Sequence, residues 1–340
     1  MLMYSGKVTS QKMIEREIGY RGSKSERVTV SVKEQRVDGS WQGSHGPCLR
    51  CTLTGFVRNH QAKVHSNQIN KALYSTVTSA FKLNPWFVTG FSDAEGSFSI
   101  LIQRNTKYLT GYRVKAIFAI GLHKKDLNLL EGIKGFFGVG KIHVHGKDSL
   151  QYRVESVKDL QVIISHFDNY SLITKKLCDY LLFKQALFLI NNGEHLTSEG
   201  LNKLIGIKAS LNLGLSDDLK ETFPKFIKVD KPEYVFKCIS DPHWVAGFTS
   251  GDGGFSIKTS SSSTNKLGNR VRLRFFIGLH IRDLAVILGL ISFFKLGDYV
   301  SLESTDIQKE EATKFKYVYI AERSAHFQIS NFSEILNIID

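Results

Sequence analysis

Between residues 96 and 123 apolar and polar positions alternate. Phe98, Ile100 and Ile102 take every second place among Ser97, Ser99 and Gln103, and Val114, Ala116, Phe118 and Ile120 do so among Arg113, Lys115 and Ala119. This period of two predicts two strands with one buried face each. Upstream, NPWFVTGFSDAEG predicts a short helix with Pro85 in its first turn and Gly96 just past its end. Downstream, Asp126 is expected to cap a helix through DLNLLEGIKGFFG. A second strand pair in GKIHVHG and SLQYRVES and a helix from Val157 to His166 complete an αββαββα unit. Two further amphipathic helices are expected in SLITKKLCDYLLFKQALFLINN and HLTSEGLNKLIGIKASLN, and Lys225 to Asp241 reads as a linker.

The pattern then begins again. A constant offset of 157 residues carries Pro85 to Pro242, Gly90 to Gly247, Glu95 to Asp252, Arg113 to Arg270, His123 to His280 and Asp126 to Asp283. So many matches in one register mean duplication, and the fold class that follows is α+β: tandem pseudosymmetric repeats with two saddle-shaped antiparallel sheets. In the second copy a strand pair is expected from Gly254 to Leu279, a helix from Asp283 to Phe294, and the start of the second pair at Gly297 to Glu303, followed by the insertion STDIQKEEATK. NFSEILNII near residue 335 resembles SVKDLQVII of the first copy. Nothing in the second copy answers to the segments after about residue 165, so its sheet is expected to lack braces that the first one has. The domain expectation is a poorly ordered basic leader over 1–83, a first domain over 84–224, the linker 225–241 and a shortened second domain over 242–340.

Each copy opens with a glycine-laced acidic segment, GFSDAEGSF and GFTSGDGGF. In a helix Gly90 and Ala94 lie one turn apart, as do Gly247 and Gly251, and small residues at that spacing let two backbones approach closely. The copies are therefore expected to pack helix on helix about a pseudo-dyad, with Phe91 and Phe248 pointing away into separate cores. Glu95 and Asp252 then end their helices side by side, where the helix dipole disfavours negative charge. Something positive should sit between them, and magnesium, held by one or two carboxylates with its waters and phosphate oxygens, suits that place. Asp93 has Ser250 as its counterpart and reads as structural.

Charge sharpens the picture. The 340 residues carry 45 Lys+Arg against 32 Asp+Glu, a formal net charge of +13, which favours a polyanionic partner. Four scattered cysteines exclude a disulfide framework and indicate a reducing compartment. Cys48 and Cys51 are half of a zinc site without a second half. No apolar run approaches the length of a membrane span. On the polar strand faces stand Gln103, Arg113, Lys115, Lys141, His143, Gln151 and Arg153 in the first copy, and Ser256, Lys258, Arg270, Arg272 and Arg274 in the second. A strand of about ten residues spans roughly 33 Å, close to one turn of DNA, so two such faces would cover about twenty base pairs.

These segments resemble the LAGLIDADG homing endonucleases, in the single-chain two-repeat form encoded in fungal organelle introns. VTGFSDAEG at 88–96 is similar to the first family motif and VAGFTSGDG at 245–253 to the second, which lacks its sixth-position acid. LHKKD, HFDNYSLITKKLCDY and HLTSEGL extend the likeness, which covers about residues 84–340. The resemblance implies a mitochondrial, monomeric, magnesium-dependent nuclease that cuts both strands of duplex DNA. It further implies that Glu95 and Asp252 bind metal with the carbonyls of Ala94 and Gly251, and that Lys176 is a basic residue of the active centre. The family also contains RNA maturases that assist splicing of their own intron, so intron RNA is a second expected partner, and a degenerate DNA-binding remnant is a third alternative.

Overall fold

The computed structural model describes residues 83–296 and 315–339. Residues expected to form the leader, with Cys48 and Cys51, lie outside this range, except Leu83, which is buried in the first core. That core therefore begins at the residue taken as the leader's last.

The first repeat runs α1 (Pro85–Glu95), β1 (Gly96–Arg104), β2 (Tyr112–His123), α2 (Leu127–Phe137), β3 (Lys141–Val144), β4 (Ser149–Val154) and α3 (Val157–Asn169). Three more helices follow: α4 (Lys176–Asn191), α5 (Ser198–Ser210) and a short, unforeseen α6 (Asp217–Thr222). The second repeat is α7 (Pro242–Asp252), β5 (Gly253–Ser261), β6 (Asn269–His280), α8 (Leu284–Phe293), β7 (Val318–Ala321), β8 (Ser324–Ile329) and α9 (Phe332–Ile339). Each repeat holds one four-stranded antiparallel sheet, in the orders β1-β2-β4-β3 and β5-β6-β8-β7. Among the described residues no helix is long and apolar enough to cross a membrane.

Three expectations need correction. Asp126 and Asp283 make no side-chain cap on α2 and α8; instead His123 and His280, one residue before a short 3-10 turn, accept the backbone N–H of Lys125 and Arg282 at 3.1 Å. The helix expected from Ser171 starts only at Lys176, and the N–H groups of Ile173 and Thr174 in the preceding loop are taken by Asp93. Gly297 to Glu303 lies outside the described residues, and the strands that complete the second sheet, β7 and β8, both follow the insertion. Gly96 and Gly253 follow their helices in extended backbone. They are glycines for want of space: a Cβ on Gly96 would stand 2.5 Å from Ser92 O, and one on Gly253 would stand 2.9 Å from Phe276 O.

The two core clusters are separate. Phe91 belongs to the first and Phe248 to the second, as the helix pattern predicts. In the first, Phe98 is a hub whose ring lies 5.2 to 5.5 Å from those of Phe118, Phe167, Tyr180 and Phe183.

Candidate active site and nucleic-acid interface

α1 and α7 begin alike. Asn84 accepts the N–H of Trp86 at 2.8 Å and Asp241 that of His243 at 2.8 Å, each with proline as the first helical residue, whose missing N–H costs nothing there. The helices then pack backbone on backbone. A Cβ on Gly90 would overlap the carbonyl oxygen of Trp244, one on Gly247 would overlap that of Phe87, and one on Gly251 would lie 2.5 Å from Ala94 Cβ and 3.1 Å from Glu95 Cγ. The glycines set the seam, and the seam sets the acids: Glu95 and Asp252 are the last residues of their helices, and the Glu95 side chain lies against the end of α7.

Lys176 reaches the end of α1. Its Nζ donates to the carbonyls of Ser92 at 3.1 Å and Ala94 at 3.2 Å in the last turn of α1, the first of which also accepts the Gly96 N–H. Burial pulls the Lys176 ammonium below its ordinary pKa, while the charges of Asp93, Asp252 and Glu95 pull the other way. The Asp252 carboxyl is pushed up to about 7, chiefly by burial, opposed by Lys176 and reinforced by the charge of Glu95. The three predicted catalytic side chains therefore share one electrostatic site, with Ala94 and Gly251 facing each other inside it.

The loop before Lys176 is held by acids from both repeats. Asp93 is buried; its Oδ2 accepts from Ile173 N at 2.7 Å and from the Trp244 indole at 2.9 Å, and its Oδ1 accepts from the Thr174 hydroxyl at 2.7 Å. Burial raises the Asp93 carboxyl, and these bonds with the Lys176 charge draw it back. Its reading as a structural residue agrees with this enclosure. Asp283 of the second repeat, also buried, accepts from Lys175 N at 2.7 Å and pairs with Arg282 at 3.3 Å. The Tyr234 hydroxyl donates to Ile173 O. Sequence reasoning did not find this bracket. Its signal was the repeated Asp126 and Asp283, of which the first is exposed and the second buried.

Every predicted strand-face residue stands on the face opposite its core. Gln103 pairs with Arg113, Lys141 with Arg153 and His143 with Gln151 in one sheet. In the other, Ser256 pairs with Arg274 and Lys258 with Arg272, and Ser260 with Arg270. Gln103, Arg113, Lys141, His143, Lys258, Arg270, Arg272 and Arg274 are exposed; Lys115, Gln151, Arg153 and Ser256 are half-buried. Arg274 donates to Ser256 at 3.1 Å and lies 4.6 Å over the Phe276 ring. Tyr319, His326 and Gln328 continue this face, through the pairing of Tyr319 with His326 and of Phe276 with Gln328.

The sequence profile described as LAGLIDADG endonuclease matches residues 88–187 and 245–339, one match for each repeat. The chain belongs to this family. A solved LAGLIDADG meganuclease, I-CpaMI bound to uncleaved DNA, is 54% identical, with a TM-score of 0.67 over 75% of this chain and 82% of that one. I-SmaMI bound to cleaved DNA is 42% identical, with a TM-score of 0.68 over 75% of this chain and 80% of that one. Another I-SmaMI structure holds an uncleaved DNA target in the presence of calcium ions. Of the curated relatives, probable intron-encoded endonuclease 3 of Neurospora crassa is 40% identical over 99% of this chain and 63% of its own length. An uncharacterized 50.9 kDa protein in ND4 intron 1 of Podospora anserina is 44% identical over 51% of this chain and 43% of its own. This LAGLIDADG chain thus covers less than two thirds of the length of either of these curated relatives.

Proposed function

We propose that this LAGLIDADG protein is a site-specific endonuclease that hydrolyses both strands of duplex DNA with magnesium. The observation that carries the proposal is the convergence of Glu95 and Asp252 on Lys176 at the end of a glycine seam. Relatives named for introns and neighbours solved on DNA support it, and the intron-encoded relatives support a mitochondrial setting.

The donor set fits a hard divalent cation. Glu95 and Asp252 bring two carboxylates beside one ammonium, and the Asp252 carboxyl is pushed up to about 7, chiefly by burial, so its ionised form gains from a nearby cation. Glu95 and Asp252 would hold the ion with the Ala94 and Gly251 carbonyls, and water and substrate phosphate would complete its shell. Bound there, it would activate water and stabilise the leaving oxygen. The chain's own groups do the rest. Lys176, with three donors and two carbonyl partners, keeps one N–H for a phosphate oxygen beside the seam. Asp93 and Asp283 fix the loop that aims it. The basic strand faces hold the duplex across the two sheets, Arg and Lys reading guanine edges and tracking phosphates.

The test is incubation of the protein with DNA carrying the intron-less insertion site, with and without magnesium. Glu95→Gln and Asp252→Asn should each lower cleavage by about a hundredfold or more, the scale on which one preorganised active-site charge acts, with DNA binding retained. Binding to intron RNA without any DNA cutting would replace the nuclease by a maturase.

A further inference from the structure

The first repeat's polar strand face carries no acid at any strand position, yet one acid follows in the same alternation. Glu155, the residue after β4, takes the Lys115 ammonium on Oε2 at 2.6 Å and the Arg153 guanidinium on Oε1 at 2.9 Å. All three side chains are about 30% exposed, unlike the freely solvated Arg113 and Lys141 of the same face. Lys115 draws the Glu155 carboxyl below its usual range, with Arg153, Lys115 and His143 adding to the effect, so the clamp is ionised at neutral pH. Arg153 is not satisfied by it: its Nε is buried without a partner. The matched position of the second sheet is Ser330, since Val154 pairs with Phe118 as Ile329 pairs with Phe275.

We propose that Glu155 is a specificity-determining residue of the DNA face, an inference that rests on the DNA-binding function proposed above. A lysine or arginine free to swing reaches phosphates, which carry no sequence information; one tethered over the groove floor is aimed at base edges, where guanine offers O6 and N7. Glu155 tethers two such cations from adjacent strands, and its charge holds down their attraction for any DNA. The first repeat thus gives up general affinity for discrimination, whereas the second, with Arg270 and Arg272 exposed on one strand and serine at the clamp position, keeps general affinity.

The experiment uses the full chain and a randomised duplex library of about twenty base pairs. Wild type is selected first, then Glu155→Gln, which keeps shape, and Glu155→Ser, which copies the second repeat; the two variants back each other up should one fold poorly. Both should bind unselected DNA several-fold more tightly, with a steeper salt dependence as two cations reach phosphates. Their discrimination should fall by about tenfold at a few adjacent positions of one half-site and stay unchanged in the other half. A wild type that enriches no sequence overturns the DNA-reading function itself. A wild type that enriches a site, with variants giving the same profile or losing affinity evenly at every position, overturns the role of Glu155 alone.

Discussion

The two repeats share a register yet not a state of burial. Phe98 is 1% exposed and its counterpart Phe255 is 58%; Ile100 is 1% and Ile257 72%; Val114 is 8% and Val271 61%. The strands are the same length and pair in the same way, so the alternation has done its work in both. What differs is the cover. α4 lays Tyr180 and Phe183 on Phe98, whereas among the described residues the only ring against that of Phe255 is Phe275 on the neighbouring strand. Beneath that sheet an open cleft of about 1220 Å³ runs past Phe255, Phe275, Phe293, Phe294 and Ile338. Phe255, Ile257 and Val271, each more than half exposed, forgo part of the about 1.5–3 kcal/mol that full burial of such a side chain contributes. Duplication copies a local pattern; stability comes from what is laid on it.

At the seam, by contrast, the repeats are equal, and the largest effects are expected there. Gly90→Ala and Gly247→Ala should each cost more than about 4 kcal/mol, because the new Cβ meets backbone that cannot yield. Gly135→Ala, with nothing within 4 Å of its Cβ, should be harmless. Urea denaturation of the three variants checks this. Equal tolerance at Gly90 and Gly135 would break the claim that close approach dictates the motif.

Away from the seam the same substitution should have unequal effects. Phe98→Ala removes the hub of the first core and should cost about 3–5 kcal/mol. Phe255→Ala removes a ring already more than half in water, and should cost less than about 1 kcal/mol. Denaturation midpoints for the pair give the gap directly. A large loss at Phe255 would mean that something covers that face in solution.

This contrast also marks what the sequence could show. Period-two alternation and the offset of 157 gave three of the four strand pairs, the polar face on each sheet and the two acids at the helix ends, since each depends on neighbours a few residues apart or on simple repetition. They could not give cover, because the pattern of a strand says which face is apolar and nothing of what is packed on it. The bracket around Lys176 was hidden for a related reason. Asp93 reaches Thr174 and Trp244 across 81 and 151 residues, and Asp283 reaches Lys175 across 108. Ser250, the match of Asp93, is exposed and bonds only within its own helix, to Ala246 O. Likewise the bond of Lys115 to Glu155 spans 40 residues.

A smaller effect separates the repeats by pH. His166 lies in the first core among the rings of Phe136, Phe137, Phe167 and Tyr170, all within 5.4 Å. The Thr89 hydroxyl donates to Tyr170 O, so the histidine donates its Nε2–H to Thr89 Oγ1 at 3.0 Å and is neutral. Burial lowers its pKa from 6.5 to about 4. In the window between those values the unfolded chain binds a proton that the folded one refuses, so stability is complete above pH 6.5 and declines as pH falls towards 4. Between pH 7 and 5 the loss from this group should be about 2 kcal/mol. His166→Phe should remove that part of the slope and leave the carboxylate contributions in place. The difference in slope between wild type and variant, from urea midpoints at several pH values, is the quantity to measure. A wild-type slope no steeper than the variant's would mean that His166 is charged or solvated in the folded protein, and that the first core is less tightly closed than its rings indicate.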